Sequence, residues 1–271
     1  MKKKPKIVSI VGLTASGKSA VGMALAREFN GEIISCDSRQ VYRRLDIGTA
    51  KVTAEEQAQV RHHLLDVVEP LKEGEATRND NGGFIGAYNV FDFQKAAYSA
   101  IDDILARGKN VFLVGGTGLY SRSIVEGYNF KEQNNVSLQS KKASQTPMAS
   151  TPKYEVLQIC LMPSKEYIAG PIARRIDERL NNGLIEETRG LLADGYSRDF
   201  LASLGLEYYW NIEYIEGRVT LEEYKYWLHT KTMQFAKRQR TWFKREKDTV
   251  FLDESSEFSE RARELVAGFL K

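Results

Sequence analysis

The sequence has few of the residues that build disulfide frameworks and metal clusters. Its 271 residues include only 2 cysteines and 3 histidines. Cys36 and Cys160 are far apart and have no metal-type spacing, so we expect neither a disulfide scaffold nor a zinc site, and a reducing cytoplasm is the predicted location. His62 and His63 are interpreted as residues at the start of a strand, because no third ligand is spaced to complete a metal site.

Long hydrophobic runs and a strong net charge are also missing. No stretch approaches the ~20 apolar residues that a membrane-spanning helix needs, and the run Ile7–Leu13 leads into glycines rather than into a signal cleavage site. A soluble protein is therefore expected. The net charge of +3 neither requires nor excludes nucleic acid. Six basic residues, however, fall within one short segment that is suited to contact phosphates: Lys237, Arg238, Arg240, Lys244, Arg245 and Lys247.

What is present is an alternation of short apolar runs with helical patterns. Strands are predicted at Lys6–Val11, Glu32–Cys36, Leu64–Val68, Asn110–Val114 and Val156–Leu161. Helices are predicted at Ser19–Phe29, Phe91–Arg107, Pro171–Asn182, Ile185–Leu192, Leu206–Ile215, Leu221–Arg245 and Ser256–Leu270. This alternation predicts an α/β protein with a P-loop three-layer fold, a mostly parallel sheet and a helical C-terminal part. The patterns do not define the order of the strands.

The sequence divides into three regions. Residues 1–127 are predicted to form the P-loop α/β core, and residues 155–271 the last core strand with the C-terminal helices. Between them, residues 128–154 are rich in Ser, Gln, Asn, Lys and Thr and offer little apolar surface, which predicts a flexible linker. A second irregular segment, Pro70–Asn89, contains turn-forming residues with little to bury and is predicted to be a loop.

A phosphate-binding loop, Gly12–Ser19, is the strongest local signal. Its sequence Gly-Leu-Thr-Ala-Ser-Gly-Lys-Ser follows an apolar strand and precedes a helical pattern, which is the context this motif needs. Such loops are typical of ATP-binding and other nucleotide-binding proteins: backbone N–H groups surround an anion, the lysine adds positive charge, and the serine binds Mg²⁺. The predicted contacts come from Gly12, Thr14, Ala15, Ser16, Gly17, Lys18 and Ser19, with Ser19 as the metal ligand.

The strand Val111–Val114 lacks the acidic residue expected of a motor or switch NTPase. Those proteins hold Mg²⁺ with a carboxylate at the end of a further apolar strand, whereas here Gly-Gly-Thr-Gly-Leu-Tyr follows at 115–120. The loop therefore favours binding of a small phosphorylated substrate.

Asp37 and Thr117 are candidate catalytic residues. Asp37 follows the strand Glu32–Cys36, and Thr117 lies in the glycine turn after another strand. Ligands of open parallel sheets bind at the carboxyl ends of strands, so both side chains should face the same crevice as the phosphate-binding loop. Asp37 is a candidate general base, and its alternative role is that of a helix N-cap.

Six sequence blocks, in one order along most of the chain, resemble the signatures of tRNA dimethylallyltransferases. They are the phosphate-binding loop, Glu-Ile-Ile-Ser-x-Asp-Ser-x-Gln-Val-Tyr-Arg, Asp-Ile-Gly-Thr-Ala-Lys, His-His-Leu, Leu-Val-Gly-Gly-Thr-Gly-Leu-Tyr and Ala-Lys-Arg-Gln-x-Thr-Trp-Phe. Six ordered blocks are far more specific than any one of them.

The resemblance implies transfer of a dimethylallyl group from dimethylallyl pyrophosphate to N6 of the adenosine adjacent to the tRNA anticodon, at tRNA position 37. The phosphate-binding loop would hold the pyrophosphate, Asp37 would accept the N6 proton, and Thr117 would hold the amine. Arg179 would reach over the pyrophosphate, although its local pattern also fits a solvated salt bridge on a helix. Further substrate contacts are expected from Ser38, Gln40, Lys237, Arg238 and Gln239. The implied cofactor is Mg²⁺, the implied partner is the tRNA anticodon stem-loop, and the implied state is a monomer.

Two departures from the family pattern concern tRNA binding. The linker at 128–154 replaces the family's helical insertion, and Ser-Leu-Gly-Leu at 203–206 stands where Ile-Gly-Tyr is typical. One alternative is therefore a relative that prenylates free adenine nucleotides, although the basic, aromatic segment Ala236–Arg245 favours tRNA. The motifs are also compatible with a small-molecule P-loop kinase and with a non-catalytic tRNA-binding member. Tyr208, Tyr209 and Trp210 are interpreted as packing residues rather than as base-stacking residues.

Overall fold

The computed structural model describes residues 3–130, 151–253 and 257–271. Most of the segment predicted to be a linker, 128–154, lies outside the described residues. Thr151, near the end of this segment, donates its N–H to the carbonyl oxygen of Gly127, the residue that precedes the segment, at 3.0 Å. Within the three described ranges, no helix is long and apolar enough to cross a membrane.

The described residues contain one six-stranded sheet, and the predicted α/β fold is confirmed. The strands are β1 (Lys6–Gly12), β2 (Gly31–Ser35), β3 (His62–His63), β4 (Asn110–Gly115), β5 (Glu155–Leu161) and β6 (Thr249–Leu252). Their order is β3-β2-β4-β1-β5-β6, and every pairing is parallel. Because the strands are parallel, the loops that follow β1, β2 and β4 meet at one edge of the sheet.

Helices cover both faces of this sheet. They are α1 (Lys18–Glu28), α2 (Ala54–Gln59), α3 (Val90–Ala106), α4 (Gly118–Val125), α5 (Lys165–Asn181), α6 (Leu184–Ala193), α7 (Arg198–Ser203), α8 (Leu206–Ile215), α9 (Leu221–Phe243) and α10 (Phe258–Leu270). On one face, Leu25 of α1 and Val266 of α10 belong to the same buried cluster. On the other face, Phe93 of α3 stacks on Tyr120 of α4 with ring centroids 4.1 Å apart.

The C-terminal helices pack over the carboxyl edge of the sheet. Ile172 of α5 and Leu228 and Ala236 of α9 are buried in one cluster with Leu13, which lies in the phosphate-binding loop. Helix α9 starts at a capping box in which the Thr220 side chain accepts from the backbone N–H of Glu223. These helices therefore form a wall above the loops that follow the strands.

The prediction of a strand at Leu64–Val68 was wrong. The strand at this position is β3, and the chain leaves the sheet directly after it because Leu64 and Asp66 adopt left-handed φ angles of 64° and 53°. The Val67 N–H donates to the Val41 carbonyl oxygen at 2.8 Å. Backbone hydrogen bonds of this apolar run therefore go to the loop around Val41 rather than to a neighbouring strand, and Leu64 is its only buried residue.

Two further predictions need correction. Helix α5 begins at Lys165 rather than at Pro171, because Ser164 caps it by accepting from the Tyr167 N–H at 3.1 Å. The segment 70–89 contains no helix or strand, as expected. The expectation that this segment has little to bury is wrong, because Phe84 is buried and its ring lies 5.5 Å from that of Phe200.

Candidate active site

Glycines shape the phosphate-binding loop between β1 and α1. Gly12 has a φ of 149°, and a Cβ at this position would lie 2.3 Å from the Leu161 carbonyl oxygen of the adjacent strand. Gly17 caps α1 with a φ of 83°, in the left-handed region that favours glycine. The backbone can therefore surround an anion at the helix N-terminus.

Lys18 and Ser16 suit this loop to a negatively charged group. Lys18 donates to the Leu13 carbonyl oxygen at 3.2 Å. Burial lowers the pKa of Lys18 to about 8, and the Asp37 carboxylate opposes this shift. The buried Ser16 hydroxyl has no hydrogen-bond partner among the described residues. Buried polar atoms are rarely left without a partner, and a bound anion would supply one.

Asp37 follows β2 at the same edge of the sheet. Its Oδ1 accepts from the backbone N–H groups of Arg39 at 2.9 Å and Gln40 at 3.4 Å. The side chain therefore caps the following turn, and it also lines a cavity together with Lys18. A carboxylate has two acceptor oxygens, so Oδ1 can hold the turn while Oδ2 takes part in chemistry.

Thr117 ties the end of β4 to the end of β2. Its N–H donates to the Cys36 carbonyl oxygen at 3.1 Å, and its Oγ1 accepts from the Ser38 N–H at 3.1 Å. These contacts bring the hydroxyl groups of Ser38 and Thr117 to within 3.4 Å of each other. Two hydroxyl groups thus stand next to the carboxylate of Asp37.

Gln239 joins α9 to two of these loops. Its Oε1 accepts from the Thr14 N–H at 2.7 Å, and its Nε2 donates to the Gly116 carbonyl oxygen at 3.0 Å. The residue is buried. Because the backbone uses both ends of the amide, Gln239 fixes the separation of the loops after β1 and β4.

The other predicted substrate-binding residues differ in their surroundings. Gln40 lines the cavity and donates to the Thr49 carbonyl oxygen at 3.2 Å. Arg238 is exposed on α9 and lines the cavity, whereas Lys237 is exposed and lies outside the lining. Gln40 thus supports the cavity wall, and the two basic residues face solvent.

Three arginines and one buried glutamate form another part of the wall. Nη1 of Arg179 lies 2.5 Å from Oε1 of Glu207, and Nη1 of Arg39 lies 3.0 Å from Oε2. Glu207 is only 3% exposed. Arg175, one helical turn before Arg179, donates to the Thr14 hydroxyl at 2.8 Å. Arg175 is therefore the arginine of α5 that touches the phosphate-binding loop.

The charges of this cluster influence one another. Burial, and then repulsion by Arg179, lower the pKa of Arg175 to about 10. Burial also acts to lower the pKa of Arg39, but the carboxylates of Glu207 and Asp37 outweigh it and raise that pKa. Burial acts to raise the pKa of Glu207, and the arginines outweigh it and lower that pKa. The cluster remains positive at neutral pH and attracts anions.

One cavity of about 1090 Å³ connects these groups. It runs along the carboxyl edge of the sheet, and its wall also contains aromatic side chains of α8 and α9. The predicted site residues in its lining are Thr14, Lys18, Ser19, Asp37, Ser38, Gln40, Thr117, Arg179, Arg238 and Gln239. Gly12, Ala15, Ser16 and Gly17 shape the phosphate-binding loop behind them.

Sequence reasoning missed Arg175, Arg39 and Glu207 as site residues. Arg175 carried a usable signal, because it precedes Arg179 by four residues on a predicted helix and the two side chains therefore share one face. Glu207 carried none, since an acidic residue in the first turn of a helix is ordinary.

Known proteins resemble this chain along most of its length. The family model described as IPP transferase matches residues 40–146 and 132–246. The tRNA dimethylallyltransferase of Caldicellulosiruptor saccharolyticus is 36% identical over 93% of this chain and 93% of the relative. That of Streptococcus uberis is 38% identical over 95% of this chain and 93% of the relative. The crystal structure of the full-length tRNA isopentenylpyrophosphate transferase from Bacillus halodurans matches with a TM-score of 0.80 and 31% identity, covering 98% of this chain and 97% of that chain.

The family match also bears on the unusual middle of the chain. The alignment to the Caldicellulosiruptor relative covers 306 residues, more than the 271 of this chain, so the relative has segments that this chain lacks. The two matched ranges overlap at residues 132–146. These residues lie within the segment 128–154, which is expected to replace the family's helical insertion. The resemblance carried by the six sequence blocks is confirmed, and the chain belongs to the IPP transferase family.

Proposed function

We propose that this protein transfers a dimethylallyl group from dimethylallyl pyrophosphate to N6 of the adenosine adjacent to the tRNA anticodon and releases pyrophosphate. Prenyl transfer onto tRNA is the reaction class of the family to which the chain belongs. The observation that carries the proposal is that Lys18, Asp37 and Thr117 line one cavity. An anionic leaving group and an acceptor amine can therefore be held side by side.

The pyrophosphate would lie between the phosphate-binding loop and α5. Breaking an allylic C–O bond leaves positive charge on carbon and negative charge on the pyrophosphate, so donors around the leaving group stabilise the transition state. The loop N–H groups, the Ser16 hydroxyl, Lys18 and Arg175 would supply these donors. Arg179 would add positive charge while it remains paired with Glu207.

Mg²⁺ is the proposed cofactor, and the residues present fit it. The ion needs few protein ligands, because it keeps several waters and binds phosphate oxygens. Ser19 is exposed at the start of α1 and lines the cavity with Asp37. Across the described ranges, no group of three or more His, Cys, Asp or Glu side chains forms a metal cluster, so the pyrophosphate itself would complete the coordination. When bound, the ion would neutralise charge on the leaving group.

Asp37 would accept the N6 proton. The exocyclic amine of adenine is a poor nucleophile until a base takes up its proton, and the hydroxyl groups of Thr117 and Ser38 would hold it beside the carboxylate. Attack by N6 forms the C–N bond as the C–O bond breaks. The electron pair of the C–O bond leaves with the pyrophosphate, and the proton goes to Asp37.

The proposed acceptor is tRNA rather than a free adenine nucleotide. Lys237 and Lys244 are exposed on and directly after α9, outside the cavity lining, where they would contact the phosphates of a large nucleic acid. A free nucleotide would fit inside the cavity and would have no use for these charges. The relatives described above are also named as tRNA enzymes.

A monomer in the cytoplasm is the proposed state. Cys36 and Cys160 are buried and have free thiols, which suits a reducing compartment. One chain provides every group named in the reaction, so the proposed chemistry needs no second subunit.

The decisive experiment offers labelled dimethylallyl pyrophosphate to a choice of acceptors in the presence of Mg²⁺. The acceptors are a tRNA with adenosine next to the anticodon, the same tRNA with guanosine there, and AMP. Label should appear only in the tRNA that has adenosine next to the anticodon. Label in AMP alone would support the free-nucleotide alternative. In a parallel assay with labelled ATP, phosphate transfer without any prenyl transfer would support a kinase.

A further inference from the structure

An aromatic surface borders the cavity where α8 meets the first turns of α9. It consists of Tyr209, Trp210 and Trp227, here called the aromatic rim, and all three side chains line the cavity. The rings of Trp210 and Trp227 are parallel to within 2°, with centroids 5.8 Å apart. Tyr209 meets Trp210 edge-on at 5.1 Å.

Helix packing does not account for the exposed part of this surface. Tyr208 of α8 and Tyr224 and Leu228 of α9 are fully buried and already supply apolar surface to the helical part. Tyr209 nevertheless remains 42% exposed and Trp227 38% exposed. Exposed aromatic surface that is continuous with a binding cavity is typical of an interaction site.

One face of α9 links the aromatic rim to the phosphate-binding loop. Trp227, Lys231, Phe235 and Gln239 follow one another at intervals of four residues, and all line the cavity. Gln239 contacts Thr14 of the loop. At a rise of 1.5 Å per residue, Trp227 and Gln239 are roughly 18 Å apart along the helix. The proposed donor and target adenine would occupy the space between, so the rim would meet whatever surrounds the target base.

Positive charge accompanies the aromatic rim. Lys231 Nζ lies 5.6 Å from the centre of the Trp227 ring, and Arg238 lines the same cavity with its guanidinium 5.7 Å from the centre of the Phe235 ring. Flat rings beside cations complement a nucleotide, which presents a π face and a phosphate.

We propose that the aromatic rim stacks on the nucleotide adjacent to the target adenosine. This inference rests on the proposed function, since it takes an RNA acceptor as given. A target base that enters the cavity must leave its stack, and its neighbour then lacks a stacking partner. The rim supplies that partner, while Lys231 contacts the phosphate.

The test measures binding of an anticodon stem-loop RNA to wild-type protein and to Trp227→Leu. The loss of stacking should weaken binding by roughly 5- to 150-fold and leave the affinity for dimethylallyl pyrophosphate unchanged. Trp227→Tyr, which keeps an aromatic ring, should restore most of the RNA affinity. Tyr167→Leu is the matched control, because Tyr167 is an aromatic residue of α5, is 46% exposed and lies outside the lining of the cavity.

A second arm uses stem-loops that lack the base on one side of the target adenosine. An abasic site at the stacked neighbour should weaken binding to wild-type protein and make no further difference to Trp227→Leu, because one contact is then already lost. Additive effects, or equal losses in Trp227→Leu and Tyr167→Leu, would overturn the inference. If wild-type protein neither binds nor prenylates the intact stem-loop, the proposed function itself fails. If it does both and Trp227→Leu binds equally well, only the role of the rim is refuted.

Discussion

Arg179 and Glu207 form a buried ion pair in the cavity wall, with Nη1 of the arginine 2.5 Å from Oε1 of the glutamate. The second carboxylate oxygen pairs with Arg39 at 3.0 Å. Glu207 therefore holds two of the three cavity arginines and offsets part of their positive charge. It also joins α5 and α8 to the loop that follows β2.

Glu207→Gln should destabilise the free protein by about 3–5 kcal/mol, because it leaves the buried Arg179 without its counter-charge. Pyrophosphate should then raise the melting temperature of the variant more than that of the wild type, since the anion replaces the lost charge. Thermal unfolding with and without pyrophosphate measures both effects. Glu213→Gln on the same helix is the control, because Glu213 pairs with Arg218 outside the cavity. Equal pyrophosphate shifts in Glu207→Gln and wild type would contradict this role.

Arg175→Gln should raise the KM for dimethylallyl pyrophosphate by roughly 10- to 150-fold, the effect of losing a hydrogen bond to a charged group. Arg175 touches the phosphate-binding loop through Thr14, whereas the adjacent Arg174 is exposed and lies outside the cavity lining. Steady-state kinetics at saturating tRNA should thus separate Arg175→Gln from Arg174→Gln. The assignment fails if both variants have the KM of the wild type.

The lowered pKa of Lys18 predicts how donor binding depends on pH. Its pKa is about 8 in the free protein, so raising the pH through this value removes a positive charge from the loop. Donor affinity should be highest below this pH and fall above it. Because the bound anion favours the protonated lysine, the fall should occur at a pH above the pKa of the free protein. Lys18→Met should bind more weakly throughout and lack this fall. Calorimetric titration with dimethylallyl pyrophosphate provides the measurement, and a flat wild-type profile would argue against the role of Lys18.

Lys237→Gln and Lys244→Gln should each weaken tRNA binding. Each lost phosphate contact should also reduce the slope of log affinity against log salt by about 1, because fewer counterions are released. Donor affinity should stay unchanged, since both residues lie outside the cavity lining. Lys95→Gln, exposed on α3, serves as the control. An unchanged slope in the α9 variants would remove this helix from the tRNA interface.

Motif positions were sufficient to predict the framework of the site. Asp37, Thr117 and the phosphate-binding loop each follow a strand, and parallel strands bring their carboxyl ends to one edge. What the patterns did not contain is the long-range pairing. Glu207 has an ordinary first-turn sequence, and only its contacts with Arg39 and Arg179 reveal its role. Strand order likewise depends on pairings between segments that are distant in the sequence.

Aromatic residues of α8 show the same limit. The sequence-based interpretation assigned Tyr208, Tyr209 and Trp210 to packing, and this is confirmed for Tyr208, which is fully buried. It was wrong to treat Tyr209 in the same way, because Tyr209 is exposed at the cavity. Neighbouring helix positions point in different directions, and which of them is buried depends on where α9 packs.

The central claim is that Asp37 is the general base, and Asp37→Asn tests it most directly. Asparagine keeps Oδ1 as the acceptor for the N–H groups of Arg39 and Gln40, so the turn should remain intact while proton acceptance is lost. The measurement is the single-turnover rate of prenyl transfer to tRNA at saturating donor, together with the donor dissociation constant. We predict a rate loss of ~10²–10⁴-fold with unchanged donor affinity. A loss of less than about fivefold, far below the range of a general base, or an equal loss of donor affinity, would contradict the claim.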